Sequence, residues 1–425
     1  MADYLSMSRE ELLAEQQLLK TEYQKYKDMN LKLDMSRGKP CTEQLDLSKE
    51  MLKMDDYTGE NGFDVRNYGL LEGIPEARRF FADLFDVDKD EVIVGGNSAL
   101  QLMYYLIDVG WRQGFVDSPR PWRHYNCIKF LCPVPGYDRH FRVTEYFGFQ
   151  MINIPMTPTG PDMDMVEDLV SHDDTIKGMW CVPIYSNPDG YTYSEETVRR
   201  LATMKTAAKD FKLIWDNAYI VHHLTDEYCS CPNILTECKK AGCPERPLTF
   251  CSTSKITYPG AGVAALAASL KNIKYIVKNM QPMIISFDKM NQLRHVQYLK
   301  NKDGVLEHMK KHRAILAPKF DLVKQTFAEQ LSPCGRIARW TDPKGGYFIS
   351  LYLLDGCARR TVKLCADAGV VLTGAGAAYP YGIDPKDSHL RIAPTYPSLS
   401  ELGTASLLLT ICARLATVDM LLKNM

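Results

Sequence analysis

The chain has 425 residues, 45% of them hydrophobic and 24% charged, with a formal net charge of −1. That length supports a large core and more than one domain, and the composition is ordinary for a globular protein. Near-neutral charge offers no field for nucleic acid or an anionic membrane surface, and the apolar run at 263–270 is too short to span a bilayer.

Met1-Ala2-Asp3-Tyr4 leads into a charged helix without the apolar stretch of a secretory signal. Ser8-Arg9-Glu10-Glu11 reads as a capping box opening that helix, whose stripe of Leu12, Leu13, Gln16, Leu19, Tyr23 and Tyr26 needs a C-terminal domain or a partner chain to pack on. Gly38 and Pro40 then break regular structure in Ser36-Arg37-Gly38-Lys39-Pro40. A helix follows Pro75 through Phe80, Phe81 and Leu84. Glu91-Val92-Ile93-Val94 reads as a strand running into Gly95-Gly96-Asn97-Ser98-Ala99, a Gly-rich turn into a helix that would aim backbone N–H groups at an anion.

Strands are expected at 128–132, 152–155, 178–182 and 213–215, with helices at 162–169 and 194–209 between them. The first of these strands runs into Pro133-Val134-Pro135-Gly136-Tyr137-Asp138-Arg139-His140, the third into Asn187-Pro188, and the fourth into Asp216-Asn217-Ala218-Tyr219. Polar residues clustered just after successive strands describe a parallel, doubly wound α/β sheet with a ligand along its carboxyl edge. Thirteen scattered cysteines fit free thiols in a reducing, cytoplasmic setting. The cluster Cys229, Cys231, Cys238 and Cys243 lacks paired C-x-x-C knuckles, so no metal site is expected.

The next β-like run, Leu248 to Cys251, ends in Ser252-Thr253-Ser254-Lys255, followed by Pro259-Gly260-Ala261-Gly262. Taken alone, this lysine is either a loop residue beside a Ser-rich turn or a desolvated amine able to form a Schiff base with an aldehyde. Beyond it come a helix over 300–317 that Pro318 is expected to kink, strands at 345–351, 369–372 and 389–393, a helix at 361–368, and a closing amphipathic helix over 399–422. The expected division is an N-terminal helix and arm over 1–50, a large unit over 51–310 and a small α+β unit over 311–425.

The ordered set Tyr68, Gly96-Asn97-Ser98, Tyr137, Asn187-Pro188, Asp216-x-Ala218-Tyr219, Ser252-x-Ser254-Lys255 and Arg391 resembles the fold-type I aminotransferases dependent on pyridoxal phosphate (PLP). Ser36 to Pro40 and Cys132 to His140 carry a narrower resemblance, to the bacterial aspartate-aminotransferase-like group related to MocR catalytic domains. The resemblance implies that Lys255 binds PLP as a Schiff base and later moves a proton at the substrate Cα. It implies that Asp216 pairs with the pyridinium nitrogen, that Tyr219 and Asn187 hydrogen-bond the ring oxygen, and that Tyr137 stacks on the ring. Asn97, Ser98, Ala99, Ser252 and Ser254 would cradle the phosphate, and Tyr68 would reach the phosphate of a neighbouring subunit in a homodimer. Arg391 would grip the substrate carboxylate, with Asn187 beside it, while Gly38 lets the N-terminal segment close. One departure stands out: the phosphate arginine of many relatives is Val263 here.

The implied reaction is transamination from L-aspartate to 2-oxoglutarate, with Arg37, Lys39, Arg139 and Arg294 as candidates for holding a distal carboxylate. Other donors (2-aminoadipate, aromatic amino acids, alanine) and a PLP-sensing regulatory domain are the alternatives. Against the regulator, the region before Arg37 is too short for a winged helix-turn-helix and the chain lacks a basic footprint.

Overall fold

The computed structural model describes residues 3–425. Met1 and Ala2, the first residues of the expected N-terminal unit, lie outside the described residues. Short apolar runs build an eight-stranded sheet in the spatial order Val92–Val94, Ala264–Ala267, Pro247–Ser252, Lys212–Asp216, Ile176–Cys181, Lys129–Val134, Gln150–Thr157, Gly160–Pro161. The five strands from Pro247–Ser252 across to Gln150–Thr157 pair in parallel. Every residue of Ile176–Cys181 and Lys212–Asp216 is buried, as expected of parallel strands covered on both faces. Even their lysines are sequestered, and each is paired: Lys177 with Asp210 at 2.8 Å, and Lys212 with Asp117 at 2.8 Å.

The structure extends or alters the sequence reading in three places. The small apolar run after Lys255 forms Ala264–Ala267, which pairs antiparallel to both of its neighbours. The helix expected to reach Lys209 ends at Thr203, where the Arg246 guanidinium takes the carbonyls of Leu201, Ala202 and Met204. The helix expected over 300–317 runs on past Pro318, over Lys302–Gln330, with that proline inside it. Buried Leu316, Phe320, Val323 and Phe327 anchor it on both sides of the proline, and such packing outweighs local propensity.

A second, antiparallel sheet joins Ala338–Trp340, Ile349–Leu353 and His389–Ile392. The strand expected from Gly345 begins only at Ile349 because Gly346 turns the chain at φ +85°. Leu33–Asp34 pairs in parallel with Val370–Val371, stitching the N-terminal arm to the C-terminal region. Ser8 and Glu11 form the expected capping box of helix Arg9–Asp28. That helix packs on the closing helix, Leu399–Asn424, where Arg414 bonds Tyr4 at 2.9 Å and Glu15 at 2.8 Å.

The closing helix is not amphipathic. Its middle turns are buried on all sides, from Leu408 to Val418, because Arg9–Asp28, Lys302–Gln330 and Ala358–Asp367 all pack against it. It is long and apolar enough to cross a bilayer, but 72% of its most apolar window is covered by protein.

Six histidines are held neutral by burial, His222 and His308 among them. His223 and His295 are pushed down to about 4, and His312 and His389 to about 3. The unfolded chain therefore binds more protons than the folded one between about pH 4 and 6.5, and stability must fall as pH falls through that window. Each histidine contributes a slope of up to about 1.4 kcal/mol per pH unit. Chemical denaturation at pH 7.5 and pH 5 should show a large loss at the lower pH. A flat profile would mean that these rings are not buried neutral.

Candidate active site

Three adjacent strands deliver the central groups. Pro247–Ser252 hands the chain to the turn carrying Lys255, Lys212–Asp216 ends in Asp216, and Ile176–Cys181 leads into the loop with Asn187. Residues just past parallel strand ends collect along one edge of the sheet, which is where α/β proteins bind ligands.

The Lys255 Nζ lies 5.1 Å from the centroid of the Tyr219 ring and 5.9 Å from that of Tyr347. Unlike Lys177 and Lys212, it has neither an ion pair nor a hydrogen-bond acceptor among the described residues. Burial pushes its pKa below the ordinary lysine value, against the opposing pull of the Asp216 carboxylate. An amine in this state is a usable nucleophile. Its backbone is fixed as well: His222 Nε2 and Tyr347 OH both reach the Lys255 carbonyl, at 3.3 and 3.5 Å.

Asp216 is 5% exposed. Its Oδ1 accepts from the Ala218 N–H at 3.0 Å, and its Oδ2 faces His140 Nε2 at 3.1 Å. His140 stacks on Trp180, with ring centroids 4.3 Å apart and planes 7° apart, and Tyr137 meets the His140 ring edge-on at 5.0 Å. Burial holds the Tyr137 phenol up at about 12 and lifts that of Tyr219 well above its usual value. The Tyr219 hydroxyl has no partner among the described residues.

Ser98 is the N-cap of helix Ala99–Arg112, its Oγ accepting from the Gln101 N–H at 3.4 Å, while the N–H groups of Ala99 and Leu100 have no partner among the described residues and point outward from the helix start. The Ser252 hydroxyl donates to Ser254 Oγ at 3.1 Å, and Ser254 Oγ donates to the Asn97 carbonyl at 3.3 Å. A Cβ on Gly262 would stand 2.7 Å from the Asn97 carbonyl oxygen and 2.9 Å from Ser254 Oγ, so glycine alone keeps this cradle open. Val263 is 2% exposed, a core position that no cation could occupy without heavy desolvation. Asn291 instead ties the loop, donating to the carbonyls of Ala261 and Gly262 at 2.9 and 3.1 Å.

Arg391, 8% exposed on strand His389–Ile392, faces this group from the second sheet. One of its terminal nitrogens donates to Asp138 at 2.8 Å and to Asn187 Oδ1 at 3.4 Å. Its guanidinium lies over Phe348, 4.9 Å from the ring centroid. Gly38 abuts the same ring, and a Cβ there would approach Phe348 to 2.5 Å. Tyr68 stands apart, 75% exposed on the loop before helix Pro75–Phe85.

Of the cations considered for a distal carboxylate, Arg294 is committed to Asn291 at 2.8 Å. Arg139 is exposed on helix Asp138–Tyr146. Arg37 is exposed, and Lys39 lies 3.8 Å over the Tyr396 ring. Among the described residues, no group of three or more His, Cys, Asp or Glu side chains is placed to hold a metal ion.

Sequence reasoning gave no role to His140, Asp138, His222, Tyr347 or Phe348. The Tyr137-x-x-His140 spacing at a helix start was the one local signal, since residues three apart share a face. The remaining contacts join segments far apart in the chain.

An unpartnered amine, a buried carboxylate, an unpartnered phenol and an anion cradle around one edge can hold a flat, phosphorylated aldehyde. The family model for aspartate amino-transferase matches residues 7–425. A putative aminotransferase of Mycolicibacterium smegmatis is 48% identical, with 99% of each chain covered. The aspartate aminotransferase of Corynebacterium glutamicum is 45% identical over 94% of this chain and 93% of its own. The crystal structure of an aspartate transaminase from C. glutamicum superposes with a TM-score of 0.96 at 43% identity, covering 99% of both chains. With this fold, this lysine and these relatives, the chain belongs to the aspartate amino-transferase family and is a fold-type I aminotransferase.

Proposed function

We propose that the protein transfers the amino group of L-aspartate to 2-oxoglutarate with pyridoxal phosphate as cofactor, forming oxaloacetate and L-glutamate. The observation that carries this reading is the Lys255 amine, desolvated and without an acceptor, under the influence of Asp216. The name of the C. glutamicum relative supports the donor. Pyridoxal phosphate, when bound, supplies an aldehyde for amines and a ring that withdraws electrons.

The chain's own residues then divide the work. Lys255 holds the cofactor and, once released, carries a proton to and from the substrate Cα. Asp216, braced by His140, keeps a proton on the ring nitrogen. The Tyr219 hydroxyl and the Asn187 amide nitrogen donate to the ring oxygen. Tyr137 covers the ring face. Ser98, Ser252, Ser254 and the N–H groups of Asn97 to Ala99 hold the phosphate. Arg391 receives the substrate α-carboxylate.

The Arg37–Lys39 segment supplies the cation for the distal carboxylate. It flanks Gly38, which touches the ring beneath Arg391. Residues 51–310 form the cofactor-binding unit and 311–425 the small unit, with the 1–50 arm joined to the latter through Leu33–Asp34. The exposure of Tyr68 suits a homodimer in which this side chain crosses to the partner's phosphate. None of the thirteen cysteines forms a disulfide among the described residues, which suits a reducing cytoplasm.

A panel of amino donors with 2-oxoglutarate tests the substrate. L-Aspartate is expected to give the highest kcat/KM, with oxaloacetate formed. No oxaloacetate from aspartate, alongside rapid transfer from an aromatic, branched or 2-aminoadipate donor, would replace this donor with another.

A further inference from the structure

Arg391 is held on three sides, and the way it is held has a direction. Phe348 covers one face of the guanidinium. Both hydrogen bonds it makes, to Asp138 and to Asn187, leave from the same terminal nitrogen, NH1. The Nε is buried with no partner, and NH2 makes no bond among the described residues. The Nε–H and the near N–H of NH2 form the side-on fork that matches the two oxygens of a carboxylate.

We propose that Asp138 is a positioning residue for substrate carboxylates, acting through Arg391. The proposal rests on the reading of Arg391 given above. Asp138 and Asn187 anchor the end of the guanidinium that the substrate does not use, and Phe348 fixes its plane. The fork is thereby left open and aimed. A carboxylate acting as a stand-in for substrate would occupy the fork itself, and Asp138 does not.

The anchor is well made. Asp138 is the first residue of helix Asp138–Tyr146, where the helix N-terminus favours a carboxylate. Its side chain keeps 31% exposure while that of Arg391 keeps 7%, so the pair is screened from water mainly on the arginine side. The same contact orients Asn187: with Oδ1 turned to Arg391, its Nδ2 is free to donate elsewhere. Asp138 follows Tyr137 directly, so one turn of chain supports both the ring-facing phenol and the carboxylate-binding arginine.

The test uses the cofactor-loaded enzyme with Asp138→Ala, Asp138→Asn and Arg391→Ala. Kinetics are read with L-aspartate and 2-oxoglutarate, and binding with maleate, a dicarboxylate that does not react. Asp138→Ala is expected to raise both KM values and the maleate Kd about tenfold while lowering kcat by less than about threefold. The resting visible absorption should change little, because Asp138 contacts neither Lys255 nor Asp216 among the described residues and reaches the ring site only through Arg391. Asp138→Asn keeps the shape and an accepting oxygen, so it should fall between wild type and alanine; it also serves if the alanine variant fails to fold. If Arg391→Ala raises KM while neither Asp138 variant does, or if they lower it, Asp138 does not position Arg391 and the proposal fails. If Arg391→Ala leaves KM and the maleate Kd unchanged, the reading of Arg391 fails first and takes this one with it.

Discussion

Replacing Lys255 with alanine is expected to lower transamination by more than about four orders of magnitude, because it removes both the cofactor's anchor and the proton carrier. The fold should survive. The Lys255 carbonyl that accepts from His222 and Tyr347 belongs to the backbone and stays in place. The lost amine makes no hydrogen bond among the described residues, and burial already disfavours its charged form, so its removal relieves a desolvation cost. The thermal midpoint of the cofactor-free variant should equal or exceed that of the cofactor-free wild type. Retained turnover would move the chemistry to another lysine. Lys177 and Lys212 are poor candidates, since each is already locked to a carboxylate.

The second large effect is expected at Asp216. Asp216→Ala should retain the visible absorption of the lysine-bound cofactor, because Lys255 and the phosphate cradle are intact. Its kcat should fall by about a hundredfold to a thousandfold, the usual scale when a buried electrostatic partner of the reacting system is removed. The change also leaves His140 Nε2 facing a void in place of the Asp216 carboxylate. Asp216→Asn tests charge against shape: it fills the site and still fails to hold a proton on the ring nitrogen, so its loss should be nearly as large. Wild-type kcat in either variant would show that Asp216 is a structural carboxylate.

Most of the sheet's carboxyl edge can be read from sequence because its signals are local. Short apolar runs such as Leu213-Ile214-Trp215 end in Asp216 and Tyr219, and the turn around Lys255 couples small hydroxyl residues to a glycine-rich bend. The direction of Ala264–Ala267 is not local. An apolar tetrapeptide pairs either way, and here a tight turn through Pro259–Ala261 returns the chain antiparallel. The closing helix escaped a pattern reading for a related reason: with helices packed on several sides, Leu399–Asn424 has no polar stripe to betray its orientation. The roles of His140 and Asp138 depend on partners at Asp216 and Arg391, which only the folded sheet brings near. Val263 shows the converse case, in which sequence flagged a missing cation and the structure supplies the reason, a core position.

The central claim is that the Lys255 amine captures the aldehyde of pyridoxal phosphate. Borohydride reduction of the cofactor-loaded protein, followed by peptide mass spectrometry, tests it directly. The account predicts a phosphopyridoxyl group on the peptide containing Lys255 and on no other lysine. Stable labelling of Lys39, Lys177 or Lys212 instead, or no labelling at all, would contradict it.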